Sequence, residues 1–115
     1  PENVFLNTFK HQTAMLKHIV MWKFIDGAQD KSAVEHALWM KCHLEALVGV
    51  VPEIKQLEVG VNTSSSPMAY DAVLTLVVDD AEALQRYRQH PAHQEISQYC
   101  HAVRSARVVV DYKLL

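Results

Sequence analysis

Glycine is scarce in this sequence: Gly27, Gly49 and Gly60 are the only three in 115 residues. Their positions build neither a GxGxxG nor a GxxxxGK phosphate cradle, and GxSxG is also missing. Nucleotide-binding and serine-hydrolase chemistry by those routes is excluded. Cysteine occurs twice, at Cys42 and Cys100 with no CxxC pair. That excludes a disulfide framework and fits a reducing compartment. Neither charge sign dominates, with 11 Lys and Arg against 13 Asp and Glu and a formal net charge of -2. No nucleic-acid or acidic-membrane partner is therefore expected. No apolar run approaches the ~20 residues of a membrane span. The longest stretch without charge, 59–70, contains Asn62, Thr63, three serines and Pro67. The first residues lack the basic start and apolar run of a signal peptide. Residues 1–14 are expected to be an extension or tag remnant ahead of a single cytoplasmic domain at 15–115.

What is present is a regular alternation of strand and helix patterns. Leu16 to Phe24 alternates with apolar residues on both faces: His18, Val20, Trp22 and Phe24 on one, Ile19 and Met21 on the other. Ser32 to Glu35 has the form of a capping box. The stripe Ala33, Ala37, Met40, Leu44 and Leu47 then predicts a helix stopped by Gly49 and Pro52. Strands are predicted at Ile54–Asn62, Tyr70–Val78 and Ala106–Tyr112, with a polar loop between the first two. Asp79 to Glu82 opens a second helix that breaks at His90-Pro91, and a further helix runs to about Val103. The order β-α-β-β-α-β predicts an α+β, ferredoxin-like fold with a four-stranded antiparallel sheet and helices on one face. Val20, Trp22 and Phe24, with part of Tyr70, Ala72, Leu74 and Leu76, are expected on the uncovered face. An apolar face of that size calls for a second copy of the chain, hence a homodimer closed sheet against sheet.

LKHIVMWKF at 16–24, IKQLEVGVN at 54–62, YRQHPAH at 87–93 and VVVDY at 108–112 together resemble the stress-responsive dimeric α/β-barrel (Dabb) family. The resemblance covers roughly residues 15–113 and implies two subunits forming a barrel around a central cavity. The family contains stress proteins and a cofactor-free polyketide cyclase. Likeness to that cyclase implies Tyr87 and His93 as a catalytic pair and His18 as a pocket histidine beside Val20 and Trp22. It also implies Asp111 as the group orienting the catalytic histidine. Leu74 and His90 complete the candidate pocket. Along the first helix the sequence departs from the cyclase, offering Ala37, Leu38 and Met40 where the cyclase has bulky aromatics, so the resemblance names no substrate.

The chemistry such a set would perform is proton abstraction next to a carbonyl without a cofactor. A histidine near a helix N-terminus is kept neutral by the positive end of the helix dipole, as a general base requires. A tyrosine hydroxyl can donate to the carbonyl oxygen as charge develops there. The plainer account is that His90 and His93 cap a helix, Tyr87 packs in the barrel wall, and the dimer is a stable scaffold binding a small aromatic or keto acid. A related cofactor-free monooxygenase is a third reading. A closed cavity containing His18, Tyr87 and His93 would favour an enzyme, whereas an interior filled by Trp22, Phe24 and Leu74 would favour a scaffold. His36 and His43 are expected at a solvated helix border, and Arg86, Arg88, Arg104 and Arg107 on a solvated face. Lacking HExxH and any cysteine at ligand spacing from a histidine pair, the chain is expected to hold no metal.

Overall fold

The computed structural model describes residues 14–115. The expected extension, save for Ala14, lies outside the described residues. β1 (Leu16–Phe24) leads through a short turn into α1 (Ala33–Glu45), followed by β2 (Gln56–Val61) and β3 (Ala72–Val78). Two consecutive helices, α2 (Ala81–Gln89) and α3 (Pro91–Val103), then precede β4 (Arg104–Lys113). The strands form one sheet in the order β2-β3-β1-β4, with every neighbouring pair antiparallel. This is the ferredoxin-like α+β arrangement that the element order predicts. Among the described residues no helix is long and apolar enough to cross a membrane.

Local chemistry accounts for the helix boundaries. The Ser32 hydroxyl accepts from the Glu35 amide, and the Glu35 carboxylate accepts from the Ser32 amide, completing the capping box of α1. Asp80 caps α2 by accepting from Ala83 N–H at 2.8 Å. His90 stays extended before Pro91, which separates α2 from α3. α1 ends at Glu45, before Gly49, and its last turn is tied to the sheet edge. Lys41 Nζ donates to the Val59 carbonyl at 2.8 Å, while Glu45 accepts from Val59 N–H at 3.1 Å. The outward backbone groups of β2 at Val59 are thereby satisfied, which blunts that edge for pairing with another strand.

The faces of the sheet are the reverse of the sequence expectation. Val20, Trp22 and Phe24 point toward the helices, packed in one core with Ala37, Met40, Leu44, Leu74, Leu76 and Tyr87. The uncovered face instead carries Ile19, Met21, Val73, Val108 and Val110, placed together by register. Met21 is 40% and Val110 53% exposed. Alternation in β1 cannot choose between two apolar faces; the helices take the aromatic one, where large rings bury more area. His36 likewise departs from the expected solvated border. It is fully buried, donating through Nε2 to the Ala28 carbonyl at 2.8 Å and accepting at Nδ1 from the Tyr99 hydroxyl at 2.6 Å. His43 remains exposed and stacks on Trp39, which also stacks on Tyr99.

Ser32→Ala should lower folding stability by about 1 kcal/mol, because the Glu35 amide loses the hydroxyl that accepts from it. Urea unfolding of the variant beside the wild type checks this, and an unchanged midpoint would show that α1 does not depend on its cap.

Candidate active site

The helix-facing side of β1 forms the floor of a cavity of about 70 Å³, with His18, Val20 and Trp22 in its lining. Met40 and Leu44 of α1, Leu74 of β3 and Tyr87 of α2 add to it, as do His93, Ile96, Ser97 and Cys100 of α3. Arg104 and Arg107 complete the wall. The cavity thus lies within one chain, between sheet and helices, and not between two sheets. That follows from the face of β1 described above: the polar and aromatic side chains of alternate residues look at the helices.

His18, Tyr87 and His93 are brought together, with Val20, Trp22 and Leu74 around them. His90 is not part of the wall. It is the N-cap of α3, its Nδ1 accepting from Ala92 N–H at 3.1 Å. Pro91 follows at the first helical position, leaving His93 in the first turn. There the His93 Nδ1–H donates to the Arg88 carbonyl at 3.2 Å. This bond makes Nε2 the acceptor nitrogen of the ring. Burial holds the His93 pKa below the ordinary 6.5, and the charges of Arg88, His18 and Arg107 add to the effect.

Asp111 pairs with His18 and not with His93, which corrects the expected orientation. Register sets His18 directly across from Asp111 on β4, and their Nδ1 and Oδ1 atoms are 2.5 Å apart. The carboxylate fixes the His18 tautomer from behind, as it would for a metal-bound or catalytic imidazole. Despite that partner, burial dominates and keeps the His18 pKa below its ordinary value. Both imidazoles are therefore neutral near pH 7.

Tyr87 is 1% exposed, and its ring lies 4.4 Å from that of His93, centroid to centroid. Among the described residues its hydroxyl is the buried side-chain polar atom with no hydrogen-bond partner. Burial also raises the phenol pKa strongly, so the group is a donor and not a phenolate. A buried unpaired hydroxyl costs roughly 1–3 kcal/mol, which a purely structural tyrosine avoids by finding a partner or being phenylalanine. The Cys100 thiol is pushed up to about 11 by burial and is no nucleophile at neutral pH. Among the described residues no three His, Cys, Asp or Glu side chains group closely enough to hold a metal.

Sequence reasoning missed Ser97, Cys100, Arg104 and Arg107 as wall residues. The solvated face expected for the arginines holds for Arg86, paired with Glu53 at 3.1 Å, and for exposed Arg107, while half-buried Arg104 and Arg107 itself also border the cavity. Their signal was available: Arg107 stands on the same strand parity as Asp111, opposite Trp22.

A model of the stress responsive A/B barrel domain matches residues 16–114. An uncharacterized protein of Streptomyces coelicolor is 38% identical over 81 residues, covering 70% of this chain and 80% of its own length. A solved structure from Bacteroides fragilis, described as a dimeric protein of unknown function with a ferredoxin-like fold, is 28% identical with a TM-score of 0.73. That alignment covers 87% of this chain and 96% of the other. The hydroxynitrile lyase of Passiflora edulis superposes with a TM-score of 0.74 over 90% of this chain and 96% of its own. At 12% identity that likeness concerns the fold.

Since His18 and His93 both ionise less readily folded than unfolded, the unfolded chain binds more protons below about pH 6.5. Stability should therefore be level above about pH 7.5 and fall as the pH is lowered toward about 5. Urea midpoints across that range should show a smaller fall for a His18→Asn, His93→Gln double variant. An identical fall in both proteins would remove these residues as its source.

Proposed function

This chain belongs to the stress responsive A/B barrel domain family, and we propose that it works as a homodimer in which each subunit binds a small carbonyl compound and moves its α-proton without a cofactor. The observation that carries this is the orphan hydroxyl of Tyr87, buried in a cavity wall beside a neutral imidazole. A carbonyl oxygen accepting from that hydroxyl would satisfy it. His93 Nε2 is then the base that takes the proton from the adjacent carbon. The C–H bond breaks, an N–H bond forms, and the electron pair moves onto the carbonyl oxygen, where the Tyr87 hydrogen bond stabilises the enolate. The enolate carbon then recovers a proton from the His93 imidazolium or attacks a second carbonyl of the same molecule, as in an aldol-type ring closure. His18, held by Asp111, lines the same cavity as a second neutral imidazole.

The dimer is supported by the uncovered apolar face and by the dimeric description of the Bacteroides fragilis neighbour. Val110→Asp, at the exposed centre of β4, should shift the molecular mass measured by light scattering from two chains to one. A dimer that survives it would mean pairing through another surface.

The reaction is tested by following exchange of α-protons for deuterium in D2O, by NMR, on a panel of short methyl ketones. His93→Gln should slow exchange by about 100-fold or more, and Tyr87→Phe by a similar factor. Tyr87→Phe should also stabilise the fold by about 1 kcal/mol, since it removes an unpaired buried hydroxyl. The wild-type rate should be level above pH 6.5 and fall only at lower pH, where His93 gains its proton. Exchange undiminished in His93→Gln, or no exchange with any ketone, would overturn the assignment and leave a binding scaffold.

A further inference from the structure

Proton transfer at Tyr87 and His93 makes no use of the arginines beside them. Arg88 from the end of α2, Arg104 at the junction of α3 and β4, and Arg107 on β4 line an open recess of about 400 Å³. His93, Ser97, Arg104 and Arg107 line both the recess and the inner cavity, so the two adjoin across that shared wall.

Among the described residues none of the three guanidiniums is ion-paired with a carboxylate. Among the described residues the ion-paired acids are engaged elsewhere: Glu53 with Arg86, Glu45 with Lys41, Asp79 with Lys55 and Asp111 with His18. Arg104 Nη2 reaches only the His101 ring, at 3.3 Å. Arg107 is pulled below its ordinary value by partial burial and by the charges of Arg104 and Arg88, with Asp111 opposing them. Like charges gathered at the mouth of a pocket repel one another in the empty protein and focus a positive potential into it. An anion placed there relieves the repulsion, and a carboxylate matches the planar fork of a guanidinium with two parallel hydrogen bonds.

Size divides the ligand in two. At about 70 Å³ the inner cavity is several-fold smaller than the recess of about 400 Å³, so the carbonyl end suits the cavity and the remainder of the molecule extends into the basic recess.

We propose that the ligand is an oxo acid, its carbonyl end in the inner cavity and its carboxylate in the recess, held by Arg104 and Arg107 with Arg88 adding to the potential. The position of the carbonyl rests on the proton-transfer assignment; the carboxylate site does not. The probes are 4-oxopentanoate, 5-oxohexanoate and 7-oxooctanoate, each with its methyl ester, titrated into full-length protein and followed by amide chemical shifts. At least one acid should bind about tenfold more tightly than its ester, with the advantage shrinking as salt is raised. In an Arg104→Gln, Arg107→Gln double variant the acid-over-ester advantage should vanish, and Arg104→Lys, Arg107→Lys should restore part of it. Thermal melting of the Gln variant should match or exceed wild type, because charge repulsion is reduced. Equal binding of acids and esters, acid preference that persists in the Gln variant, or no acid shifting the amides of His93 and Ser97 would each overturn the proposal. Acid preference without α-deuteration of the bound oxo acid would keep the carboxylate site and overturn the proton-transfer assignment instead. Deuteration of acid and ester alike would do the reverse.

Discussion

The antiparallel register between β1 and β4 is the constraint on which the site depends. It sets His18 across from Asp111 and Trp22 across from Arg107, all on the side of the sheet that the helices cover. Because side chains alternate strictly along a strand, a slip of one residue would send the whole set to the opposite face. His18 would lose its carboxylate and Arg107 its place at the recess. The bulge between Lys23 and Phe24 falls beyond these pairs, so the register is undisturbed where the site needs it.

Around that frame the electrostatics are graded from inside to outside. The innermost groups are neutral: two imidazoles kept uncharged by burial, a phenol whose ionisation is suppressed, and a thiol that stays protonated. Positive charge is confined to the outer wall. This is the order expected of a pocket that draws in an anionic molecule and presents its uncharged end to a base, since desolvating a charge deep inside would cost more than any contact there returns. The unpaired Tyr87 hydroxyl fits the same logic, a small cost in folding stability held at a position where a bound oxygen would offset it.

Much of the fold was legible before any coordinates. The alternation of Leu16–Phe24, the Ser32 capping box, the helix start at Asp79–Glu82 and the His90-Pro91 break are each set by residues close in sequence, and these elements stand where expected. Tyr87, His93 and His18 were legible as a set through resemblance, and they do share a cavity. Three readings failed for one common reason. The face of β1, the partner of Asp111 and the burial of His36 each depend on a residue far away in the chain: the helices for β1, His18 for Asp111, and Tyr99 with Ala28 for His36. Composition and periodicity carry no record of such pairings when both faces of an element are apolar or when several histidines compete for one carboxylate.

The sequence by itself determined the element order, the α+β class, the helix caps and the apolar surplus that one layer of helices cannot cover. These are properties of neighbours within a few residues, fixed by backbone geometry and side-chain type. Tertiary structure decided which side of the sheet is buried, which histidine is held by Asp111, and that Arg104 and Arg107 meet His93 at one opening. Those outcomes come from the register of strands whose partners lie tens of residues apart, and register is settled by the packing of the whole core, not by any segment alone.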